Sequence, residues 1–314
     1  MNRRAHVFLT GGLGNQLFQV AAAKAHYPGA TILLHGGLGN PRLNSSGTPE
    51  IIEYDLGPEV EFTKTHKNLF VEKTLGYTLR THINFKGAGK FLASRFVIRI
   101  LASIVLSVFL KKPLSVRVNI GVGYSKLKKP WTREIVAIGY FQTYRFASDF
   151  EVSAYLKKLS PVQISGELES YRKLAETEQP LIVHFRFGDY LQEDGFGIPT
   201  TDYYDAAIGE LWNTGGFKKI WVFSDEPGRV PATLIGKYDK FLRWIPMIAN
   251  SSTQTLEVMR LGHGYVIANS TFSWWGAFLS RNNPSVVVAP SPWFKRVENP
   301  TDITPDNWKN HNAF

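Results

Sequence analysis

Short apolar runs of about five residues punctuate this chain, with longer amphipathic segments between them. Residues 6–10, 31–35, 134–141, 181–187, 219–223, 264–268 and 285–289 read as strands. Runs apolar on both faces belong in a parallel sheet covered on both sides, so the periodicity predicts an α/β fold. Helices fill the gaps, among them residues 17–24 after a glycine loop. The Lys- and Glu-rich segment 147–180 is expected to hold a linker between two domains.

Three of the runs empty into residues that carry chemistry. The first leads into Gly11-Gly12-Leu13-Gly14-Asn15-Gln16, where glycines let the backbone approach a bound group or simply make a tight turn. Gly12-Leu13-Gly14-Asn15-Gln16-Leu17 lacks the third glycine of the dinucleotide fingerprint, so hydride chemistry is not expected. Alternation along 181–187 puts His184, Arg186 and Gly188 on one face and Val183, Phe185 and Phe187 on the other. An imidazole and a guanidinium at a strand end can clamp a diphosphate; an Arg186–Asp189 surface pair is the plainer reading. The third run opens into Asn269-Ser270-Thr271-Phe272-Ser273-Trp274-Trp275, small polar residues at a helix start. They can seat phosphate oxygens or serve as ordinary caps, and the tryptophans can form a ligand wall or core.

Together these segments resemble the α-1,2-fucosyltransferases of glycosyltransferase family 11, in their bacterial form. GGLGNQLFQ at 11–19 looks like the family's amino-terminal motif, and HFRFGDY at 184–190 looks like its H-x-R-x-x-D-Y motif. FSDE at 223–226 and NSTFSWWGA at 269–277 resemble two further elements, with weaker echoes at 139–142 and 289–293. The motifs stand in family order. Family members often carry a second arginine where this chain has Phe187, which leaves the diphosphate charge to Arg186.

The resemblance implies two Rossmann-like domains facing a cleft (GT-B type): residues 1–150 on the acceptor side, and 151–314 binding the GDP-sugar. It implies an inverting galactoside α-1,2-fucosyltransferase that moves L-fucose from GDP-fucose to the 2-hydroxyl of a galactose-terminated glycan. A different GDP-sugar or linkage, or a glycan-binding relative without turnover, are the alternatives. Arg186 is expected to meet the growing leaving-group charge, with Ser270, Thr271, Phe272 (backbone) and Ser273 around the phosphate and Asn269 and His184 beside it. Asp225 or Glu226 would accept from guanine N1 and N2. Gly12, Gly14 and Asn15 would reach the sugar or pyrophosphate. For the incoming hydroxyl's proton, Asp189, Glu193, Asp194 and His184 are the candidates, and Asp189 is equally a structural partner of the turn.

Composition narrows the class. The 314 residues exceed one typical domain, and the absence of cysteine excludes a disulfide framework and thiolate metal sites. Without an Asp-x-Asp or a close His pair, no metal site is expected, and no cofactor besides GDP-fucose as donor substrate. With no apolar segment at the amino terminus, a cytoplasmic enzyme is expected. Charge is lopsided: residues 1–150 carry 20 basic and 8 acidic groups, whereas 151–314 carry 16 and 18. Between Lys73 and Arg133 stand 13 basic residues and no acid, around an apolar run at 96–110 that is shorter than the ~20 residues of a spanning helix. Peripheral contact with the anionic inner face of the cytoplasmic membrane, where a lipid-linked acceptor would sit, is one reading. A core helix with solubilising neighbours is the other. No nucleic-acid module is recognisable, so nucleic acid is not an expected partner.

Overall fold

The computed structural model describes residues 3–36, 41–63, 104, 107–108, 114–118, 123–124, 132–191, 195–282, 286–297, 299–300 and 302–314. The chain divides into two compact units: 1–160 with 300–303, and 161–299 with 304–314. Residues 151–160, expected in the second domain, therefore pack in the first. The boundary lies within the helical segment 147–180.

In the first unit, strands β1 (Arg4–Phe8), β2 (Thr31–His35), β3 (Val60–Thr63), β4 (Leu114–Val118) and β5 (Glu134–Ile138) form one sheet in the order β3-β2-β1-β5-β4, parallel throughout. Helix α1 (Leu13–His26) returns the chain after β1, and α2 (Tyr144–Ala147) and α3 (Phe150–Lys158) follow β5. Buried Ala5, Val7, Ile32, Leu34, Ile135 and Ala137 line the sheet, and Leu17, Phe18, Val20 and Ala21 supply the apolar face of α1. A ladder of polar groups crosses this apolar sheet. Glu134 Oε2 meets His6 Nε2 at 2.7 Å, and His6 Nδ1 meets His35 Nε2 at 2.8 Å. Burial, then the neighbouring His6, push His35 down to about 3, so its ring is neutral.

The segment 300–303 returns to this unit from far along the sequence. The buried Asp302 carboxylate accepts from Tyr124 N at 3.1 Å and Thr143 Oγ1 at 3.0 Å, and its carbonyl accepts from Tyr144 N.

The second unit holds α4 (Gly166–Glu178), β6 (Leu181–Phe185), α5 (Thr201–Thr214), β7 (Ile220–Ser224), α6 (Ala232–Tyr238), β8 (Leu242–Ile245), α7 (Ser252–Met259), β9 (Gly264–Val266), α8 (Thr271–Phe278), β10 (Val286–Ser291) and β11 (Lys309–Asn312). Its sheet runs β11-β10-β9-β6-β7-β8, again all parallel. Every residue of β6 is buried, as a central strand covered on both faces requires. Leu181, Val183 and Phe185 meet Tyr203, Tyr204, Ala207 and Ile208 of α5 in one apolar cluster.

Two parallel α/β units are thus what the chain builds, the class expected of a GT-B protein. In the first sheet β1 and β5 are parallel neighbours, and the helices that follow both strands pack together. The second sheet has a switch point between β6 and β9, where successive connections turn in opposite directions. Ligands of such sheets bind at the carboxyl ends of the strands beside that point. Most of the basic stretch 73–133 and of the apolar run 96–110 lies outside the described residues. Among those described, no helix is long and apolar enough to cross a membrane.

Candidate active site

At the switch point of the second unit, β6 ends at Phe185 and releases Arg186. The guanidinium is held from two sides: Nη2 donates to Asp189 Oδ1 at 2.5 Å, and Nη1 lies 3.0 Å from Asp225 Oδ2. Asp225, just beyond β7, also accepts from the backbone N–H of Phe187 at 3.0 Å, which ties the β6 and β7 ends together. Gly188 makes this geometry possible, since a Cβ there would lie 2.6 Å from Asp225 Oδ2. Burial opposes the Arg186 charge, but Asp189 and Asp225 outweigh it and hold its pKa above the usual value. Only 17% of the side chain is exposed, against 57% for Asp189. Asp225 is therefore the inner brace and Asp189 the outer, more solvated partner.

Tyr190 joins this group to the β9 end. Its ring lies 5.7 Å from the Arg186 guanidinium carbon, and its hydroxyl donates to the Asn269 carbonyl at 2.9 Å. Ser270 caps α8, with its hydroxyl accepting from Phe272 N. A first helical turn leaves backbone N–H groups pointing off the end, and no acidic residue stands in this one. The Phe272 ring comes within 6.3 Å of His184, so the β6 and β9 motifs converge.

Several expected residues have other tasks. His184 is buried; desolvation, then the Arg186 charge, push it down to about 3, so it adds no positive charge to a clamp. Glu226 pairs with Arg229, and both Asp225 oxygens are engaged, so the structure shows neither carboxylate presented for a guanine. Ser273 is fully buried, its hydroxyl donating to the Ser270 carbonyl. Asn269 is buried too, and its amide anchors the carbonyls of Phe196 and Gly197. Thr271 remains at the helix start, whereas the Phe272 N–H donates to the Ser270 hydroxyl. Trp274 and Trp275 are core. Phe187 sits in the apolar cluster of α5, stacked on Phe185 with centroids 6.4 Å apart, so a second arginine there would be buried in hydrocarbon. Glu193 and Asp194 lie outside the described residues.

In the first unit the glycine loop is shorter than expected, because α1 begins at Leu13 and takes Gly14 and Asn15 into its first turn. Gly14 is buried, and the Leu13 N–H donates to the buried Glu50 carboxylate at 2.6 Å. That carboxylate occupies the helix end where Gly12 and Gly14 were expected to meet a phosphate. Gln16 and Gln19, not singled out from sequence, stitch the loop instead. Gln16 donates to the carbonyls of Gly11 and Arg42 and accepts from Ile51 N. Gln19 accepts from Thr10 N and donates to Gly139 O. Asn15 stays partly exposed in the first turn of α1, just beyond β1, its Oδ1 accepting from Gln142 Nε2 at 2.8 Å.

The chain is similar to two curated proteins of Escherichia coli. It is 29% identical over 158 residues to an O-antigen biosynthesis glycosyltransferase, WbnK, covering 48% of this chain and 50% of that protein. It is 28% identical over 182 residues to an alpha-1,2-colitosyltransferase, covering 54% and 60%. The matches thus span little more than half the length of these relatives. Among solved structures, POFUT1 in complex with GDP-fucose aligns over 91% of this chain and 98% of its own, at 12% identity and a TM-score of 0.48. The family description "Glycosyl transferase family 11" matches residues 5–311, nearly the whole sequence. That match settles the classification: the chain belongs to glycosyl transferase family 11.

Proposed function

We propose that this chain is an inverting glycosyltransferase that moves L-fucose from GDP-fucose to the 2-hydroxyl of a galactoside in a cell-surface glycan. The observation that carries the reading is Arg186, a braced and largely buried guanidinium at the switch point of the second sheet, linked through Tyr190 to the start of α8. In the reaction the galactose O2 bonds to fucose C1 on the face opposite the leaving group. The bond from C1 to the β-phosphate oxygen breaks, and its electron pair leaves with GDP. Negative charge grows on that oxygen, and a fixed guanidinium aimed at it stabilises the transition state more than the ground state. Asp225 keeps the fork in place. Asp189, the solvated partner, yields its bond to the incoming diphosphate and is then free to accept the hydroxyl proton. Asn15 is a further donor contact. Phosphate charge is met by Arg186 and backbone N–H groups, without a metal.

The O-antigen relative supports a surface-glycan acceptor. A second reading has its own support in the relative named as an alpha-1,2-colitosyltransferase: the sugar moved is colitose, which as a 3-deoxy sugar lacks one hydroxyl that fucose has. A site that hydrogen-bonds a hydroxyl rejects the analogue without it by about 10⁴-fold, so the two readings separate sharply. The experiment is GDP release from GDP-fucose and from GDP-colitose against an array of galactosides. Turnover confined to GDP-colitose would replace the fucosyl reading, and no turnover with any acceptor would leave a glycan-binding protein. Phe187 gives that last possibility no support, because its packing explains the missing arginine. We include cytoplasmic location and peripheral contact with anionic membrane through 73–133 in the proposal. It rests on the 13 basic residues without an acid. Co-sedimentation with anionic vesicles at low salt, lost at high salt, tests it.

A further inference from the structure

The glutamine amides around the first unit's glycine loop are satisfied at both ends, with one exception. Gln16 and Gln19 each donate and accept within the backbone net described above. Gln142 donates to Asn15 Oδ1, but its own Oε1 is buried and has no hydrogen-bond partner among the described residues. The residue is only 7% exposed, so this acceptor is cut off from bulk water. A buried polar atom left unpaired in a folded protein calls for an explanation.

The backbone around it is also unusual. Phe141, fully buried, stands at φ 54, in the left-handed region that a bulky side chain rarely occupies. That turn follows β5 and brings Gln142 to Asn15, which follows the neighbouring strand β1. On the other side Gly11, at φ +68, lets the Asn15 amide lie against it; a Cβ there would be 2.3 Å from Nδ2. Asn15 is thus gripped from both sides, and the bond from Gln142 decides which end of its amide is which. With Oδ1 taken, Asn15 has its N–H donors left for a ligand.

We infer that Gln142 is a positioning residue that sets the Asn15 amide to donate to an oxygen of the bound nucleotide sugar. The inference rests on the reading that Asn15 contacts the donor. The oxygen belongs either to phosphate or to sugar, and both accept in the same way.

The test exploits the polarity of the bond. In Gln142→Glu the ionised carboxylate can only accept, so the Asn15 amide turns over and presents its carbonyl to the ligand. When the introduced carboxyl is protonated it donates to Asn15 Oδ1, as the glutamine amide did. Burial raises such a pKa, bringing the change within the working range of an enzyme. The kcat of Gln142→Glu relative to wild type should therefore be low at high pH and recover as pH falls. Gln142→Met, of similar length but without either group, should lose about 10²-fold in kcat at every pH, the effect of losing one preorganised donor. GDP affinity unchanged in Gln142→Met assigns the contact to a sugar oxygen; an equal loss of GDP affinity assigns it to phosphate. In the ligand-free protein, the Asn15 side-chain amide resonance of Gln142→Glu should titrate with the midpoint of the kinetic recovery. A pH-independent ratio in an active enzyme, a Gln142→Met variant with wild-type turnover, or an Asn15 resonance that does not titrate would each overturn the inference. A wild type inactive toward GDP-fucose would instead count against the fucosyl reading, and the resonance would still decide the role of Gln142.

Discussion

Gly188→Ala is the sharpest probe of the Arg186 brace. The added methyl would lie 2.6 Å from Asp225 Oδ2, and ordinary van der Waals contact demands a retreat of roughly 0.8 Å. Asp225 can give way, because its side chain is 24% exposed and the clashing atom is its far end. The retreat takes Oδ2 away from Arg186 Nη1, which it now meets at 3.0 Å, and leaves Asp189 as the main partner of the guanidinium. A charge-assisted bond of this kind contributes about 1.5–3 kcal/mol. Misplacing a catalytic group by about 1 Å costs on the order of 10²-fold in rate. We therefore expect kcat to fall by about 10²-fold, equivalent to ~2.7 kcal/mol of transition-state stabilisation. The melting temperature should change little. The assay is GDP release from GDP-fucose with a galactoside acceptor, read beside a thermal melt. A variant with kcat within about threefold of wild type would refute the idea that Asp225 holds Arg186 for catalysis. A large loss of melting temperature would show instead that the methyl disturbs the sheet.

Arg186→Lys keeps a charge but loses the planar fork, so kcat should drop by about 10²-fold or more, with GDP affinity falling less; near-normal turnover would remove Arg186 from its role. Phe187→Arg should destabilise by about 3 kcal/mol or more rather than tighten GDP binding, because it inserts a charge into the α5 cluster, and a thermal melt reads this directly. Transfer should persist in excess EDTA, since the proposed site meets phosphate with Arg186 and N–H groups; loss restored by a divalent cation would contradict it. His184 and His35 are pushed from 6.5 to about 3 by burial, so the unfolded chain takes up protons that the folded chain refuses. Stability is then full above pH 6.5 and declines as pH falls toward 3, and His184→Gln should flatten that decline in urea titrations across this range.

The central strands were legible because each is a short apolar run buried on both faces, as β6 and β7 show. The edge strands were not. Leu242–Ile245 includes Arg243 and Trp244, and Lys309–Asn312 is polar throughout, so neither carries a hydrophobic signal. The motif residues were found by resemblance, but their tasks depend on contacts between distant segments. Nothing in the sequence pairs Asp225 with Phe187 N, or Leu13 N with Glu50. The burial of His184 and the core position of Phe187 follow from how α5 and α8 cover the sheet, which periodicity along one strand does not reveal. Gln142 had only a weak motif echo, because its meaning lies in the bond to Asn15 across 127 positions.

The segment 300–303 has a consequence for how the protein is made. Chains emerge from the ribosome amino terminus first, and domains generally fold as units in that order. Here the first unit lacks Asp302, the buried acceptor for Tyr124 and Thr143, until strands β6 to β10 of the second unit have been synthesised. Its last stitch therefore comes after the second unit's central strands are already available. A ribosome-bound chain stalled before 300 should hold a first unit that is open around the α2 start, and cutting the finished chain at 160 should not release it intact. The two units are successive in sequence for most of their length, yet neither can be completed as a separate product.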